Sequence, residues 1–67
     1  MIEIFLNGKK TAIDPQASVA VVLAAHGFDC GRIAVAINST FVPRVDYEEQ
    51  IFEAGDRVDV VAPMAGG

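Results

Sequence analysis

The dipeptide Asn7-Gly8, set between two short alternating segments, constrains this chain more than any other feature of its sequence. Met1 to Leu6 puts Ile2, Ile4 and Leu6 on one side and Glu3 and Phe5 on the other, the period of a half-buried strand. Asn-Gly readily takes the positive φ angles of a two-residue hairpin turn, so Lys9 to Ile13 is expected to return as an antiparallel partner. An isolated hairpin is marginal in water, so the rest of the chain must cover its apolar face. With 67 residues in total, that leaves room for one domain.

The following elements can be read in the same way. After Asp14-Pro15, Ser18 stands where a helix N-cap belongs and Gly27 marks the stop, with Val19, Val22, Leu23 and His26 at helical spacing between them. Three valines in that stretch lower its intrinsic propensity, so packing has to decide for the helix. Ile33 to Ile37 reads as a central strand, with Ile33, Val35 and Ile37 on one face and Ala34 and Ala36 on the other. Asn38-Ser39 turns the chain into a short strand, Thr40 to Val42, stopped by Pro43. Asp46 to Gln50 is expected to make one helical turn, because Asp46 and Glu49 have capping-box spacing. Glu53-Ala54-Gly55-Asp56 is a tight turn, and Arg57 to Ala62 is the last strand, with Val58, Val60 and Ala62 facing inward. Placing the first and last strands side by side in parallel lets one helix cover the apolar faces of all strands. The expected fold is α+β, a β-grasp with a mixed sheet of four to five strands and one helix across one face. The domain spans 1–62, followed by a tail at 63–67.

Composition narrows the function. Hydrophobic residues make up 52% and charged residues 21%, the balance of a folded soluble domain and not of a disordered chain. The net charge of −4 and the scatter of the five Lys and Arg residues argue against nucleic acid as a partner. The single Cys30 closes no internal disulfide, and with the single His26 it falls short of a structural zinc site or an iron–sulfur cluster. No apolar run approaches the length that spans a bilayer, and the expectation is a cytoplasmic monomer that binds no membrane and holds no cofactor of its own.

Pro63-Met64-Ala65-Gly66-Gly67 follows after every core position has been assigned, so it is expected to project from the domain. Five extended residues reach roughly 16 Å, enough to pass a terminal carboxylate down a narrow channel in another protein. Gly66 and Gly67 suit that task, because a backbone without Cβ can approach a reactive centre closely.

Ala36-Ile37-Asn38, then Val42-Pro43-Arg44, then Gly55-Asp56 ahead of a strand, and Gly66-Gly67 at the end together resemble the sulfur carriers of thiamin biosynthesis, the ThiS family, which are ubiquitin-like. The resemblance covers essentially the whole chain. Tyr47 stands where the family often has Trp, and Ala34 and Ala36 are smaller than usual. The resemblance implies that the Gly67 carboxylate is the functional group. A ubiquitin-activating-type adenylyltransferase, using ATP and Mg, would adenylate it. Sulfur from cysteine, delivered through a persulfide by a cysteine desulfurase or similar enzyme, would convert it to a thiocarboxylate. Thiazole synthase would then take the sulfur. The chain is on this reading a protein cosubstrate and not an enzyme. Two alternatives share the activation step: the small subunit of molybdopterin synthase, and a protein modifier joined to target lysines through Gly67.

Candidate partner contacts are Phe5 and Val61, expected on the open face of the sheet with Ala36, together with Phe41 and with Met64 and Ala65 of the tail. Cys30 lacks a neighbouring motif and is expected to be a buried or idle thiol. His26 is expected to serve the helix end, and Glu48, Glu49 and Glu53 to form a solvated acidic face.

Overall fold

A computed structural model describes residues 1–62 of the chain. Its strands are β1 (Ile2–Leu6), β2 (Lys9–Ile13), β3 (Ala34–Ile37), β4 (Thr40–Val42) and β5 (Arg57–Val61), with one helix, α1 (Val19–Ala25), between β2 and β3. Asn7 (φ 51°) and Gly8 (φ 82°) make the first hairpin turn, and Asn38 (φ 50°) and Ser39 (φ 68°) make the second. Both have two consecutive positive φ angles, which match the twist of the flanking strands.

The sheet order is β2-β1-β5-β3-β4. β1 and β5 run parallel at its centre, through Phe5↔Arg57 and Leu6↔Val58, and the other pairs are antiparallel. This is the β-grasp arrangement that the sequence pointed to. Ile4, Leu6, Val35, Val58 and Val60 turn inward against Val19, Val22 and Leu23 of the helix, and Ile13, Val42, Tyr47 and Phe52 close the sides of the core. Ala62, expected to face inward, is exposed, because β5 ends at Val61.

The helix is only seven residues long and depends on its ends. The amides of its first turn have no partners within the helix. Val19 N–H donates to the Gln50 carbonyl at 2.8 Å, Ala20 N–H to the Tyr47 carbonyl at 2.9 Å, and Val21 N–H to Ser18 Oγ at 3.3 Å. Ser18 is thus the expected cap, and the 47–50 segment supplies the other two acceptors. At the far end Gly27 takes φ 84°, so Phe28 N–H reaches the Leu23 carbonyl and Gly27 N–H the Ala24 carbonyl. This double bond pattern, with a left-handed residue between, closes a helix firmly. His26 Nδ1 lies 2.9 Å from the Val22 carbonyl and serves the same end.

The turn expected at Asp46–Gln50 begins earlier. A 3-10 turn covers Arg44–Asp46, with Pro43 at its N-terminal boundary and no side-chain cap. Pro43 sets the start because its fixed φ of −62° leads directly into the turn. Gln50 N–H then closes on the Asp46 carbonyl at 2.8 Å, which leaves the Tyr47 and Gln50 carbonyls free to meet the helix.

Candidate functional site

The candidate site is approached through β5, the last strand of the described residues. Met64, Ala65, Gly66 and Gly67, four of the expected functional positions, lie outside the described residues. In β5, Val58 and Val60 are buried while Arg57, Asp59 and Val61 face out, so the strand is anchored by one face and presents the other. Two ladders hold it, β1 on one side and β3 on the other, the latter as far as Ala34↔Val61.

The expected contact residues do lie on the sheet face turned away from the helix, but not together. Val61 is 62% exposed and sits opposite Ala34, while Phe41, 64% exposed, sits opposite Ala36. These four residues form an apolar corner at the exit of β5. Phe5 is only half-buried and lies between Lys10 and Arg57, its cross-strand neighbours. Arg57 is four residues before Val61, about 13 Å along an extended strand, so Phe5 stands at the other end of the face. Asp59, beside Ala36, separates the two.

On the helix side of the exit, the Asp29–Arg32 turn is pinned from below. Arg44 Nη1 donates to the Gly31 carbonyl at 3.1 Å, and Asp29 Oδ1 accepts from Gly31 N–H at 3.0 Å. Cys30 is half-buried, with its thiol 3.9 Å from the Ala20 carbonyl, the environment of a packing residue. Next to it, Tyr47 is buried among core residues. Burial pushes its phenol above the ordinary value, and the Cys30 thiol adds to this, while Arg44 and a hydrogen bond to the Val35 backbone act the other way without prevailing. At physiological pH the phenol is simply neutral. No group of three or more metal-ligating side chains converges among the described residues. Nor is any helix among them long and apolar enough to cross a membrane.

Sequence reasoning missed two contributors. The side chain of Asn7 was read only as part of a turn, yet its Oδ1 accepts from Val60 N–H at 2.7 Å. Asp56 was read only as a turn residue, yet it accepts from Asn38 Nδ2 at 3.0 Å and from Glu53 N–H at 2.8 Å. Asn38 Oδ1 in turn accepts from Arg57 N–H at 3.0 Å. The start of β5 is therefore held by a side-chain knot between two turns, and its later part by the hairpin turn.

Comparison with known proteins places these features in a family. The model of the ThiS family matches residues 3–67, through the final glycine. The chain belongs to the ThiS family. Among solved structures, the crystal structure of the thiamine biosynthesis protein ThiS from Geobacter metallireducens superimposes with a TM-score of 0.79 at 23% identity, covering 98% of this chain and all of that one. A solution structure of a thiamine biosynthesis protein from the same organism gives 0.76 at 23% identity, covering 98% of this chain and 88% of that one. At this identity the two structures establish the shared fold. A curated relative, a thiazole synthase from Paramagnetospirillum magneticum, is 27% identical over 66 residues. The match takes in 98% of this chain, which spans only 20% of that relative's length.

Proposed function

We propose that the chain carries sulfur as a thiocarboxylate on Gly67 and delivers it to thiazole synthase. The observation that carries this reading is the family match, which runs through Gly66-Gly67 and not merely across the folded domain. The side chains of Asn7, Asn38 and Asp56 are engaged in holding turns and strands, which suits a protein whose reactive group is a backbone end.

The chemistry follows from the carboxylate. It spreads its charge over two oxygens and resists nucleophiles, so it needs activation. One of its oxygens attacks the α-phosphorus of ATP and expels pyrophosphate, giving an acyl-adenylate. The outer sulfur of a persulfide on a partner then adds to the acyl carbon and displaces AMP, giving an acyl disulfide, and a second thiol of the partner cleaves the S–S bond, which releases the thiocarboxylate and leaves a disulfide on the partner. ATP, Mg and the sulfur source belong to partners, an adenylyltransferase and a cysteine desulfurase or an enzyme like it. The carrier is a cosubstrate and leaves with its carboxylate restored. The likeness of nearly the whole chain to part of a protein called thiazole synthase supports that enzyme, over a pterin-forming one, as the sulfur acceptor.

Partners recognise the carrier at the exit of β5. Val61 and Phe41, flanked by Ala34 and Ala36, offer an apolar corner as the docking surface, and Met64 and Ala65 are the further contacts of this reading. Phe5 serves as a separate contact further along the same face. Incubation with the adenylyltransferase, ATP and a sulfur source tests the reading by intact mass. Exchange of one oxygen for sulfur is the expected product. Conjugates of higher mass, or an unchanged chain, contradict it.

A further inference from the structure

Two different devices hold β5 on its way toward Pro63. On one side the antiparallel ladder with β3 reaches Val61. On the other, the parallel ladder with β1 stops at Leu6↔Val58, because the chain turns away at Asn7 with φ 51°. In a continuing parallel ladder the amide of Val60 would be received by the main-chain carbonyl of residue 7. Here it is received by Asn7 Oδ1 at 2.7 Å, while Asn7 N–H still donates to the Val58 carbonyl at 2.8 Å. The side-chain carbonyl replaces the backbone carbonyl that the hairpin has rotated out of line. Few residues can do this. The position needs a positive φ, which asparagine tolerates, and a short acceptor, which glycine lacks.

We infer that Asn7 is a positioning residue for the loading of sulfur on the chain. Its Oδ1 extends the β1–β5 pairing two residues beyond the ladder and so fixes the root from which the residues after Val61 set out. The inference rests on the carrier reading proposed above. Activation requires the terminal carbon to be found within reacting distance of ATP bound on a partner. A loosened root lowers the fraction of bound molecules in reacting geometry. The exposed faces that dock are untouched, so the loss falls on kcat and spares KM.

The test uses the full chain as wild type, Asn7→Gly and Asn7→Asp. Glycine keeps the turn and removes the acceptor, while aspartate keeps both. Amide exchange at Val60 is followed by NMR, and ATP–pyrophosphate exchange on the adenylyltransferase yields kcat and KM, at a temperature where circular dichroism shows every variant folded. In Asn7→Gly the Val60 amide is expected to exchange about tenfold faster. Its kcat is expected to fall roughly three- to tenfold at unchanged KM, and Asn7→Asp to restore both. Wild-type kcat in Asn7→Gly, a change confined to KM, or an Asn7→Asp variant as slow as Asn7→Gly overturns the role of Asn7 alone. A wild-type chain that supports no exchange at all overturns the carrier reading itself, and this inference with it.

Discussion

Replacing Asp56 by alanine probes the joint on which β5 depends. The Asp56 carboxylate accepts from Asn38 Nδ2 at 3.0 Å and from Glu53 N–H at 2.8 Å, so one substitution deletes two hydrogen bonds to a charged acceptor. A bond of that kind in a buried site is worth about 1.5–3 kcal/mol. Both bonds here are exposed, and water can replace the lost acceptor. The pair together is therefore worth about 1–2 kcal/mol. A 67-residue domain has in total roughly 3–10 kcal/mol of stability, so the loss is a large share. It corresponds to a fall in thermal midpoint of roughly 5–15 °C for a domain of this size. The assay is urea unfolding followed by circular dichroism, on wild type, Asp56→Ala, Asn38→Gly and the double variant. Glycine at position 38 preserves the positive φ of 50° and removes only the side chain. The two single losses should sum to more than the double loss by about 0.5 kcal/mol, since the Asn38–Asp56 bond is counted in both. A loss below about 0.5 kcal/mol in Asp56→Ala, or strict additivity, refutes the knot.

Further outcomes follow from the same structure. Substituting Phe41 and Val61 together by serine should leave the unfolding midpoint nearly unchanged, since both side chains are mostly exposed, and weaken adenylyltransferase binding roughly tenfold; equal affinity by calorimetry rejects the apolar corner as the contact. Leu23→Ala, at a fully buried position, should cost about 2–5 kcal/mol, and a loss under about 1 kcal/mol by urea unfolding would place that side chain outside the core. Tyr47 has an alkaline signature. Its unfolded phenol ionises near 10.0 and its folded phenol at higher pH, so its contribution is complete below pH 10 and is lost as pH rises through the folded value. Tyr47→Phe should flatten that decline, and parallel stability profiles for the two proteins would show that another group causes it. Cys30→Ser should retain sulfur loading in full, and loss of loading in a folded variant would move the reactive sulfur to the side chain.

Much of the architecture was legible because each element carries its own punctuation. Asn7-Gly8 and Asn38-Ser39 supply the positive φ angles of two hairpins, Ser18 and Gly27 bracket the helix, and the alternation in β1 and β5 separates buried from exposed positions. The less legible features are those that depend on register. Alternation assigned Phe5 and Val61 to one face but could not show that Phe5 pairs with Arg57, four residues short of Val61 along β5. No local pattern announces that Asn7 will meet Val60, since the contact exists only once β1 and β5 are adjacent and offset as they are. The turn starts at Arg44 for a local reason, the fixed φ of Pro43, but the use made of its far end is tertiary. Asp46 and Glu49 have the spacing of a capping box, but the carbonyls of Tyr47 and Gln50 are recruited by the helix amides, and that tertiary demand sets the local geometry. As for the site, the sequence named the terminal residues through a resemblance, and the structure adds how the strand before them is held.

The central claim is that sulfur is carried on the carbonyl carbon of Gly67. Fragmentation mass spectrometry of the intact chain, after incubation with the adenylyltransferase, ATP and a sulfur source, locates the added sulfur directly. The account predicts that it resides on the fragment containing Gly67, and that a chain lengthened by one alanine after Gly67 gains none. Sulfur on the fragment containing Cys30, or undiminished uptake by the lengthened chain, would contradict it.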